Sequence, residues 1–404
     1  MKPIGKTFLD LLNKFIISKK NISIEMIKIL LLFKLIHNNM NILLIEPYFT
    51  GSHKSWAEGY KANSQHDVQI LKMKGQFWKW RMHGGAVTLS RLFNQSDITP
   101  DLILATDMLD LTTFLSLTRK RTSLIPTAIY FHENQLSYPW SPTDRDVQQN
   151  RNKHYGFINY SSALTADHVL FNSCYHQNSF IEESEKLLKH FPDNNELKSI
   201  KIIKDKSSVL PLGLDLHGFD AHKTNYIGPP LILWNHRWEY DKNPECFFRS
   251  LFNLDKNGVD FKLAVLGENF KTSPSIFDEA KIKLKDKIVH FGYCEEFYEY
   301  AQWLWKADIL PVTSIQDFFG ISIMEAVYCN TYPLLPNRLT YPELLPIDMH
   351  EDHIYENNED LYEKLNECIS DIGEIRKKKM CFIAEKYDWS TMATVYDALF
   401  SSFI

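Results

Sequence analysis

The stretch Ser314-Ile-Gln-Asp-Phe-Phe-Gly-Ile-Ser-Ile-Met-Glu325 decides the fold, because it joins a short apolar strand to a helix through a glycine. The pattern predicts the strand at Ile309–Pro311 and the helix at Ile321–Tyr328. Gly320 would let a phosphate approach the backbone, and the N–H groups of residues 320–322 would be unpaired helix-start donors suited to an anion. The stretch is therefore either a phosphate-binding turn or an ordinary helix with an acidic first turn.

Two carboxylates flank this turn, at Asp317 and Glu325. Because they are eight residues apart, we expect them on opposite sides of the predicted anion site. One could accept hydrogen bonds from the hydroxyl groups of a sugar, and the other from those of a ribose. Gly320, Ile321 and Ser322 would then hold a diphosphate between the two acids.

A second stretch, Trp234-Asn-His-Arg-Trp-Glu-Tyr-Asp-Lys242, places cations in a comparable position. It follows another predicted strand, so Arg237 and Lys242 lie in the loop before the next helix. An arginine fork and a lysine point charge suit a leaving diphosphate. The alternative is a pair of solvated surface cations, which is the commoner position of these residue types. Their place at the carboxyl end of a strand favours the diphosphate site.

Short apolar runs alternate with longer helical patterns from Met40 onward, which is typical of βαβ units and a parallel sheet. Helices are predicted between the strands, for example at Ser55–Lys61 and Gln148–Ala163. The predicted strands are Ile42–Ile45, Val68–Leu71, Leu102–Ala105, Thr127–Phe131, Val169–Phe171, Ser208–Pro211, Leu231–Trp234, Lys262–Leu266, Ile288–Phe291, Ile309–Pro311 and Thr331–Leu335.

The chain has 404 residues, which is enough for two domains. Leu212–Pro230 holds three glycines and two prolines and is predicted to be a linker. The sequence thus predicts an α/β protein with two Rossmann-like doubly wound domains facing a central cleft, because ligands bind at the carboxyl ends of such strands. The predicted domains are residues 40–220 together with a C-terminal helix at 390–404, and residues 228–388.

The overall charge limits the classes of partner. Forty-five Lys and Arg residues against 50 Asp and Glu give a formal net charge of −5. A dedicated nucleic-acid-binding domain is usually basic, so any polynucleotide contact must come from a local patch. Six scattered cysteines, without a C-x-x-C pair or metal-ligand spacing with histidine, fit a reducing cytoplasm and predict no metal site.

Residues 1–39 are predicted to be a dispensable extension outside the core or an artefact of an upstream start site. Charged residues surround the apolar run Ile29–Phe33, which argues against a membrane-spanning helix, and no small-residue cleavage site follows. No stable membrane association is expected. The alternative is a basic amphipathic helix that lies on a membrane surface.

The turn after the first strand contains Gly51 and Ser52. This pair could meet the phosphate of a donor or the hydroxyl of an acceptor. An equally good interpretation is a plain strand-to-helix turn in which Ser52 is the N-cap.

Four polar residues follow the strand that ends at Phe131. A single histidine after a strand is more often structural, but such a cluster is unusual for a surface turn and favours a functional role. The cluster consists of His132, Glu133, Asn134 and Gln135. His132 could bond a sugar or stabilise charge at its anomeric carbon.

The stretch Lys72–Gly85 interleaves cations with aromatic residues. Cations that bind phosphates and aromatic faces that stack on bases are a plausible way to hold RNA. The alternative is an amphipathic segment that buries its aromatic residues in the core. The candidate RNA-binding residues are Lys72, Lys74, Trp78, Lys79, Trp80 and Arg81.

The second half resembles the retaining family-4 glycosyltransferases of the two-Rossmann GT-B architecture. The resemblance implies that an arginine and a lysine after the first strand of the second domain hold a nucleotide diphosphate. It also implies that an E-x7-E motif with an internal Phe-Gly holds the sugar and the ribose. The first acid of this motif is Asp317 rather than Glu, and the shorter side chain bears on the sugar contact. The matching positions are Arg237, Lys242, Asp317, Gly320 and Glu325.

A narrower resemblance, to the tRNA-queuosine alpha-mannosyltransferases, covers about residues 40–400. It implies transfer of mannose from GDP-mannose to the cyclopentenediol of queuosine at the wobble position of aspartate tRNA. It rests on the motifs Gly51-Ser-His-Lys54, Trp78-Lys-Trp-Arg81, His132-Glu-Asn-Gln-Leu-Ser-Tyr-Pro139, Tyr155-Gly-Phe-Ile-Asn159 and Pro333-Leu-Leu-Pro-Asn-Arg-Leu-Thr-Tyr-Pro-Glu343.

Such a transfer breaks the bond between the anomeric carbon and the diphosphate, and fixed donors aimed at the leaving phosphate lower the barrier. The family retains the anomeric configuration, yet no carboxylate pair of the hydrolase type is evident. We therefore expect same-face attack, in which a phosphate oxygen takes the acceptor's proton, with no cofactor and no metal. The expected roles are leaving-group stabilisation for Arg237, Lys242 and the Gly320 amide, ribose binding for Glu325, contact with mannose hydroxyls for Asp317, and lining of the sugar pocket for His132.

Two other functions fit the same sequence. One is a family-4 transferase that acts on a lipid or polysaccharide acceptor. The other is a non-catalytic protein that binds modified tRNA, with Asp317 as the mark of a degraded site.

Overall fold

A computed structural model describes residues 39–140, 144–149, 152–268 and 273–404. The predicted extension over residues 1–39 therefore lies outside the described residues except for its last position. The described chain divides into two compact units. One holds the residues up to Leu214 together with Trp389–Ile404, and the other holds Asp215–Asp388. Residues 215–230, which the sequence predicts as linker, belong to the second unit.

The first unit is built on a six-stranded parallel sheet with the strand order β2-β1-β3-β4-β5-β6. Its inner strands are mostly apolar and buried on both faces, as expected when helices cover a parallel sheet, whereas the edge strand β2 carries exposed polar residues. The strands are β1 (Asn41–Phe49), β2 (Asp67–Lys74), β3 (Leu102–Thr106), β4 (Thr127–Phe131), β5 (His168–Phe171) and β6 (Ser207–Val209).

Helices connect these strands, and a last helix returns from the end of the chain. They are α1 (Gly51–Asn63), α2 (Trp78–Asn94), α3 (Leu111–Thr122), α4 (Arg145–Gln148), α5 (Lys153–Thr165), α6 (Cys174–Leu188), α7 (Lys198–Asp205) and the C-terminal helix Trp389–Ser401. The predicted helix Gln148–Ala163 is wrong at its start, because the long helix begins at Lys153 and a separate short helix ends at Gln148.

The C-terminal helix packs on α1 through aromatic and polar contacts. Trp56 donates a hydrogen bond to the Tyr396 hydroxyl (3.0 Å), and the Tyr60 hydroxyl donates to Asp397 (3.0 Å). A Cβ atom placed on Gly59 would lie 2.1 Å from the Trp389 indole, so only a glycine leaves room for that ring. The end of the chain is thus part of the core of the first unit.

The second unit contains another six-stranded parallel sheet, with the order β12-β11-β10-β7-β8-β9. Its strands are β7 (Leu231–Trp234), β8 (Lys262–Val265), β9 (Ile288–Phe291), β10 (Ile309–Pro311), β11 (Tyr332–Pro336) and β12 (Ile354–Tyr355). All strands predicted from the alternation are present, and the two-residue β12 is too short to have left a pattern.

The helices of this unit fill the connections between strands. The α-helices are α8 (Pro244–Lys256), α9 (Ile276–Lys283), α10 (Phe297–Lys306), α11 (Ile321–Tyr328), α12 (Tyr341–Leu344), α13 (His350–His353), α14 (Asn358–Ser370), α15 (Ile372–Ile375) and α16 (Cys381–Glu385). Short 3-10 helices occur at His217–His222, Tyr240–Lys242 and Ile347–Met349. No helix among the described residues has both the length and the apolar character needed to cross a membrane.

Each sheet reverses its strand order at one point, and ligands of open α/β sheets bind there. In the first sheet, β1 lies between β2 and β3, so the reversal falls between β1 and β3. In the second sheet the corresponding neighbours are β7 and β10. The loops after β7 and β10 are the two stretches that the sequence marks as a diphosphate site.

Candidate functional site

The loop after β7 and the start of α11 form one site in the second unit. Asn235 donates a hydrogen bond through Nδ2 to the Ser322 carbonyl at 2.7 Å, and Ser322 Oγ lies 3.2 Å from His236 Nδ1. The two stretches are 87 and 86 residues apart in the chain at these contacts. They meet because β7 and β10 are neighbours in the sheet.

Gly320 begins helix α11 in the left-handed region, with φ 91° and ψ 52°. This conformation favours glycine, because other side chains are strained there. The N–H groups of Ile323 and Met324 donate to the Gly320 carbonyl and start the helix. The N–H groups of Ile321 and Ser322 precede those bonds and are not used by the helix itself, so the end of the helix can bind an anion.

Lys242 is fixed beside this helix start. Its ammonium group donates to the Gln316 carbonyl at 2.9 Å and lies 3.7 Å from Asp317 Oδ2 and 3.4 Å from Asp241 Oδ2. The side chain is 12% exposed, so the charge faces solvent only in part. The loop after β7 thus places a fixed cation beside the start of α11.

Arg237 lies on the same loop but is more exposed than Lys242. Its guanidinium is 3.2 Å from Glu239 Oε2, and 48% of the side chain is accessible to solvent. The structure therefore brings Lys242, Asp317 and the helix start together, and it places Arg237 in the same loop as Lys242, beside the Glu239 carboxylate. The diphosphate contacts of both cations stay predictions.

The two acids of the motif have different surroundings. Asp317 accepts a hydrogen bond from the Phe319 N–H at 3.3 Å and one from the Tyr341 hydroxyl at 3.4 Å. Glu325 accepts a hydrogen bond from the Tyr300 hydroxyl at 2.6 Å. Burial of the carboxylate raises the pKa of Glu325 to about 7, although Tyr300 favours the ionised form. Their predicted contacts with sugar and ribose are not tested by these bonds.

His236 and Gly267 belong to this site, and sequence reasoning missed both. Burial, with a smaller effect from the Lys242 charge, lowers the pKa of His236 to about 3, and its Nε2 has no hydrogen-bond partner among the described residues. Gly267 follows β8 with φ 101°, and a Cβ there would lie 2.0 Å from the His236 carbonyl oxygen. The sequence signal that could have indicated Gly267 is the pair Gly267-Glu268, which follows the predicted strand Lys262–Leu266.

The first unit holds a second group of polar residues near its own strand reversal. Glu46 is fully buried and accepts hydrogen bonds from His53 Nδ1 at 2.9 Å and from the Tyr48 N–H at 2.8 Å. The His53 ring lies 4.3 Å from the His132 ring, measured between centroids. The His132 N–H donates to Asp107 Oδ1 at 2.9 Å. Glu46, His53 and Asp107 were not predicted as site residues.

The titratable residues of this group differ in their pKa values and therefore in their charge. Burial alone would lower the pKa of His53, but the charge and hydrogen bond of Glu46, together with the charges of Asp107 and Glu133, outweigh burial and raise this pKa to about 9. Burial raises the pKa of Asp107 to about 8. Burial and then the His53 charge lower the pKa of His132 well below its usual value, and its Nε2 has no partner among the described residues. A charged imidazole therefore lies against a neutral one.

Glu46, His53 and His132 could also hold a metal ion, because one ligand atom from each lies within 4.8 Å of the others. One carboxylate and two imidazoles are a known ligand set of catalytic zinc. The hydrogen bond between Glu46 and His53 already satisfies two of the three groups. The geometry therefore fits a buried ion pair as well as a metal site, and the predicted absence of a metal stays a prediction.

The neighbouring loops differ from their predicted details. Helix α1 begins at Gly51 with Thr50 as its N-cap, so Ser52 is in the first turn and is not the cap. Asn134 is fully buried, and its Oδ1 accepts from the N–H groups of Leu136 (3.0 Å) and Ser137 (2.9 Å). This side chain therefore shapes the turn that follows His132.

Glu133 and Gln135 lie beside that turn. The Gln135 side chain donates to Glu133 Oε1 at 2.9 Å, and the Gln135 N–H donates to Asn159 Oδ1 at 2.8 Å. These bonds set the direction of the loop after β4. The acceptor contacts predicted for Glu133, Asn134 and Gln135 are not tested by them.

The stretch of cations and aromatic residues separates into two environments. Trp78 packs against Trp140 and Tyr155, with centroid distances of 5.6 and 5.2 Å. Lys79 pairs with two aspartates at 2.6 Å each, and buried Arg81 donates to the Lys74 carbonyl at 3.0 Å. The side chains of the other three predicted residues are exposed, and these residues are Lys72, Lys74 and Trp80.

Comparison with known proteins gives a match for each unit. Residues 41–214 match the family described as tRNA-queuosine alpha-mannosyltransferase N-terminal, and residues 220–384 match the glycosyl transferases group 1. A tRNA-queuosine alpha-mannosyltransferase from Drosophila melanogaster is 33% identical over 335 residues, which are 80% of this chain and 86% of that protein.

Solved structures resemble the chain over most of its length. HepE from Anabaena in complex with UDP and glucose has a TM-score of 0.61 and 14% identity, covering 89% of this chain and 98% of that one. Sucrose-phosphate synthase from Thermosynechococcus elongatus has a TM-score of 0.64 and 12% identity, covering 90% and 98%. At such identities the similarity shows the fold alone, which is the predicted GT-B fold with two parallel-sheet units.

Proposed function

Because the chain belongs to the tRNA-queuosine alpha-mannosyltransferase family, we propose that it transfers mannose from GDP-mannose to queuosine at the wobble position of aspartate tRNA. The group 1 match and the fly relative make the chain a hexosyltransferase. Three parts of this function are proposals. They are the identity of the donor, the choice of tRNA and a cytoplasmic site of action.

The observation that carries the proposal is the cation beside the start of α11. Lys242 is held by the Gln316 carbonyl and Asp317, two residues of the loop that ends in Gly320. A fixed ammonium group next to unused helix N–H groups suits two phosphates joined by an oxygen. A nucleoside diphosphate is the leaving group of donors such as GDP-mannose.

The proposed chemistry follows from this charge. The acceptor hydroxyl oxygen bonds to the anomeric carbon, and the bond from that carbon to the β-phosphate oxygen breaks with its electron pair on GDP. A phosphate oxygen takes the acceptor's proton. Lys242, Arg237 and the N–H groups after Gly320 would stabilise the charge that grows on the leaving phosphate. We propose that no metal or cofactor takes part, since these groups supply the positive charge.

The remaining residues receive supporting roles in the same proposal. Glu325, whose pKa is raised to about 7 by burial, would accept hydrogen bonds from the ribose. Asp317 would accept hydrogen bonds from mannose hydroxyls while it stays near Lys242. The neutral form of His236, beside Ser322, would add a polar contact at the same helix start.

The test is a transfer assay with matched substrates. Purified protein would be incubated with radiolabelled GDP-mannose and aspartate tRNA that carries queuosine, and label in the tRNA would be counted. The control is the same tRNA with guanosine at the wobble position, which lacks the cyclopentenediol acceptor. UDP-glucose in place of GDP-mannose tests the donor. Nucleoside mass spectrometry of tRNA from cells with and without the gene would show whether the product forms in vivo.

The expected result is label in the queuosine tRNA and none in the guanosine tRNA. Transfer from UDP-glucose at the same rate would contradict the donor. Tight binding of the tRNA without any release of GDP would contradict catalysis and favour a binding protein. Transfer to a lipid or polysaccharide acceptor, with none to tRNA, would contradict the acceptor.

A further inference from the structure

The first turns of α2 present aromatic side chains to solvent. Phe77, the residue before the helix, is 76% exposed, and Trp80 is 61% exposed. Other aromatic residues of this unit are less exposed, since Phe157 and Phe191 are 43% exposed each and Trp56 is almost fully buried. Two exposed aromatic rings one helical turn apart form an apolar surface of the kind that marks an interaction site.

The Trp80 indole packs on Gly84, where the absence of a side chain leaves room for the ring. A Cβ atom on Gly84 would lie 2.4 Å from Cζ2, 2.5 Å from Cε2 and 3.0 Å from Cη2 of that ring. Several ring atoms therefore lie over the position where any other residue would carry its side chain. One face of the indole rests on the helix, so its large exposure belongs to the opposite face and the edges. A planar ring held in this way is a platform on which another planar ring can stack.

Phe77 adopts a backbone conformation that is unfavourable for an aromatic residue. Its φ of 54° and ψ of 55° lie in the left-handed region, which bulky residues rarely occupy. Its carbonyl nevertheless accepts the N–H groups of Trp80 (2.8 Å) and Arg81 (3.1 Å), so the strained residue starts the helix. Such strain persists where the surrounding structure imposes it, and it is frequent at ligand sites.

Positive charge lies next to this surface. Lys72 and Lys74 are exposed near the carboxyl end of β2, three to five residues before Phe77. The bond from Arg81 to the Lys74 carbonyl ties that end of the strand to the first turn of α2. Exposed lysines therefore lie beside exposed aromatic rings, and the Lys72 ammonium group is itself 3.9 Å from the centroid of the Phe49 ring. The combination suits an anion that carries planar rings.

We propose that Phe77 and Trp80 form a stacking platform for unpaired nucleobases of an RNA loop, whose phosphates lie on Lys72 and Lys74. The platform rests on the proposed function, because it gives that function its contact with the acceptor RNA. Trp78, Lys79 and Arg81 take no part in it, since these three side chains are buried or half-buried against other parts of the protein. Single-stranded bases stack on aromatic side chains in this way, whereas the bases of a continuous duplex are not available.

The test is RNA binding measured by fluorescence anisotropy. The probes are a synthetic anticodon stem–loop with queuosine, the same stem–loop with guanosine, and a fully paired RNA duplex of equal length. Trp80→Ala and Phe77→Ala should each weaken binding of both stem–loops by about 5- to 100-fold, because stacking supplies that range per base. Trp80→Phe keeps a flat ring and should restore most of the affinity. Weak binding of the duplex is expected for every variant.

Leu124→Ala is the matched control, because Leu124 is an apolar side chain of the same unit that is 95% exposed and lies beyond the end of α3. The Leu124→Ala variant should bind both stem–loops with the affinity of the wild type. Thermal unfolding of each variant shows whether the fold is kept. Wild-type affinity in folded Trp80→Ala and Phe77→Ala would overturn the platform.

Two further outcomes distinguish RNA stacking from self-association and from a failure of catalysis. If Trp80→Ala leaves RNA affinity unchanged and turns a dimer into a monomer in sedimentation, the surface joins two copies of the chain and the platform is overturned. If the wild type binds the stem–loop, the variants lose binding and no mannose is transferred, the platform is supported and the proposed function fails.

Discussion

Glu46 and His53 form a buried ion pair, with 2.9 Å between Glu46 Oε2 and His53 Nδ1. The pair places a protonated imidazole against the neutral ring of His132. Asp107 contacts the backbone of His132, and the charges of Asp107 and Glu133 also raise the pKa of His53. The arrangement joins the ends of β1, β3 and β4 in one electrostatic group.

Glu46→Gln should lower the pKa of His53 from about 9, because burial is then opposed only by the charges of Asp107 and Glu133. In the wild type the folded-state pKa is above the unfolded one, so this stabilisation is complete below about pH 6.5 and is lost as the pH rises through about 9. The variant should therefore lose about 3–5 kcal/mol of unfolding free energy at pH 6. The loss should be much smaller at a pH above the pKa of His53. Urea unfolding at both pH values measures it.

Glu58→Gln is the control for this change, because Glu58 pairs with Lys54 on the surface at 3.9 Å. An exposed pair contributes about 0–1 kcal/mol. Equal losses in both variants, or a Glu46→Gln loss that does not depend on pH, would contradict the stabilising role of the buried pair.

Lys242→Ala should reduce the rate of mannose transfer by about 10²–10³. The physical reason is that, in the proposed reaction, the fixed charge of Lys242 stabilises the leaving phosphate. Lys285→Ala, which removes an exposed lysine of the same unit, should keep the wild-type rate. Steady-state assays with the same donor and acceptor measure both. A Lys242→Ala variant as active as Lys285→Ala would show that the ammonium group has no part in the reaction.

Tyr300→Phe tests the role of Glu325. The Tyr300 hydroxyl donates to Glu325 and favours its ionised form, so its removal should raise the pKa of Glu325 above about 7. If ionised Glu325 binds the ribose, the KM for donor increases as the pH falls through about 7, and in the variant this increase begins at higher pH. The measurement is KM and kcat for GDP-mannose across that range. Identical pH profiles would rule against ribose binding by Glu325.

Gly267→Ala should destabilise the second unit by about 2–4 kcal/mol and weaken donor binding, because the added Cβ would lie 2.0 Å from the His236 carbonyl oxygen. Gly258→Ala is the control, since Gly258 also has a positive φ of 77° but nothing lies within 4 Å of its Cβ position. The backbone strain there should cost about 1–2 kcal/mol. Chemical unfolding of the two variants isolates the steric effect. Similar losses would show that the loop moves to accept the side chain.

Removal of metal ions should leave transfer unchanged, because in the proposed reaction Arg237 and Lys242 supply the positive charge at the diphosphate. The protein would be treated with a chelator, passed through a desalting column and assayed, and its metal content would be measured before and after. Loss of activity that returns with zinc would instead assign an ion to Glu46, His53 and His132. Glu46→Gln would then also lose the metal.

Part of the proposed diphosphate site could be predicted from the sequence. Lys242 and Asp317 each follow an apolar strand, and carboxyl ends of neighbouring parallel strands meet at one edge, so their proximity could be predicted from pattern and topology. Tyr300 and His236 could not be assigned in this way. Tyr300 belongs to a helix, and whether a helical tyrosine reaches Glu325 depends on packing across 25 residues.

The apolar runs by themselves determined the strands and the two parallel sheets, because burial on both faces requires continuous apolar residues. Only the tertiary structure decided which polar and aromatic side chains remain exposed to solvent. Lys79 is neutralised by Asp144 and Asp146, 65 and 67 residues away, while Trp80, its neighbour in sequence, stays exposed on Gly84. Whether a side chain forms an ion pair or stays exposed depends on residues that are distant in sequence and come into contact when the helices pack. The local sequence therefore does not predict it.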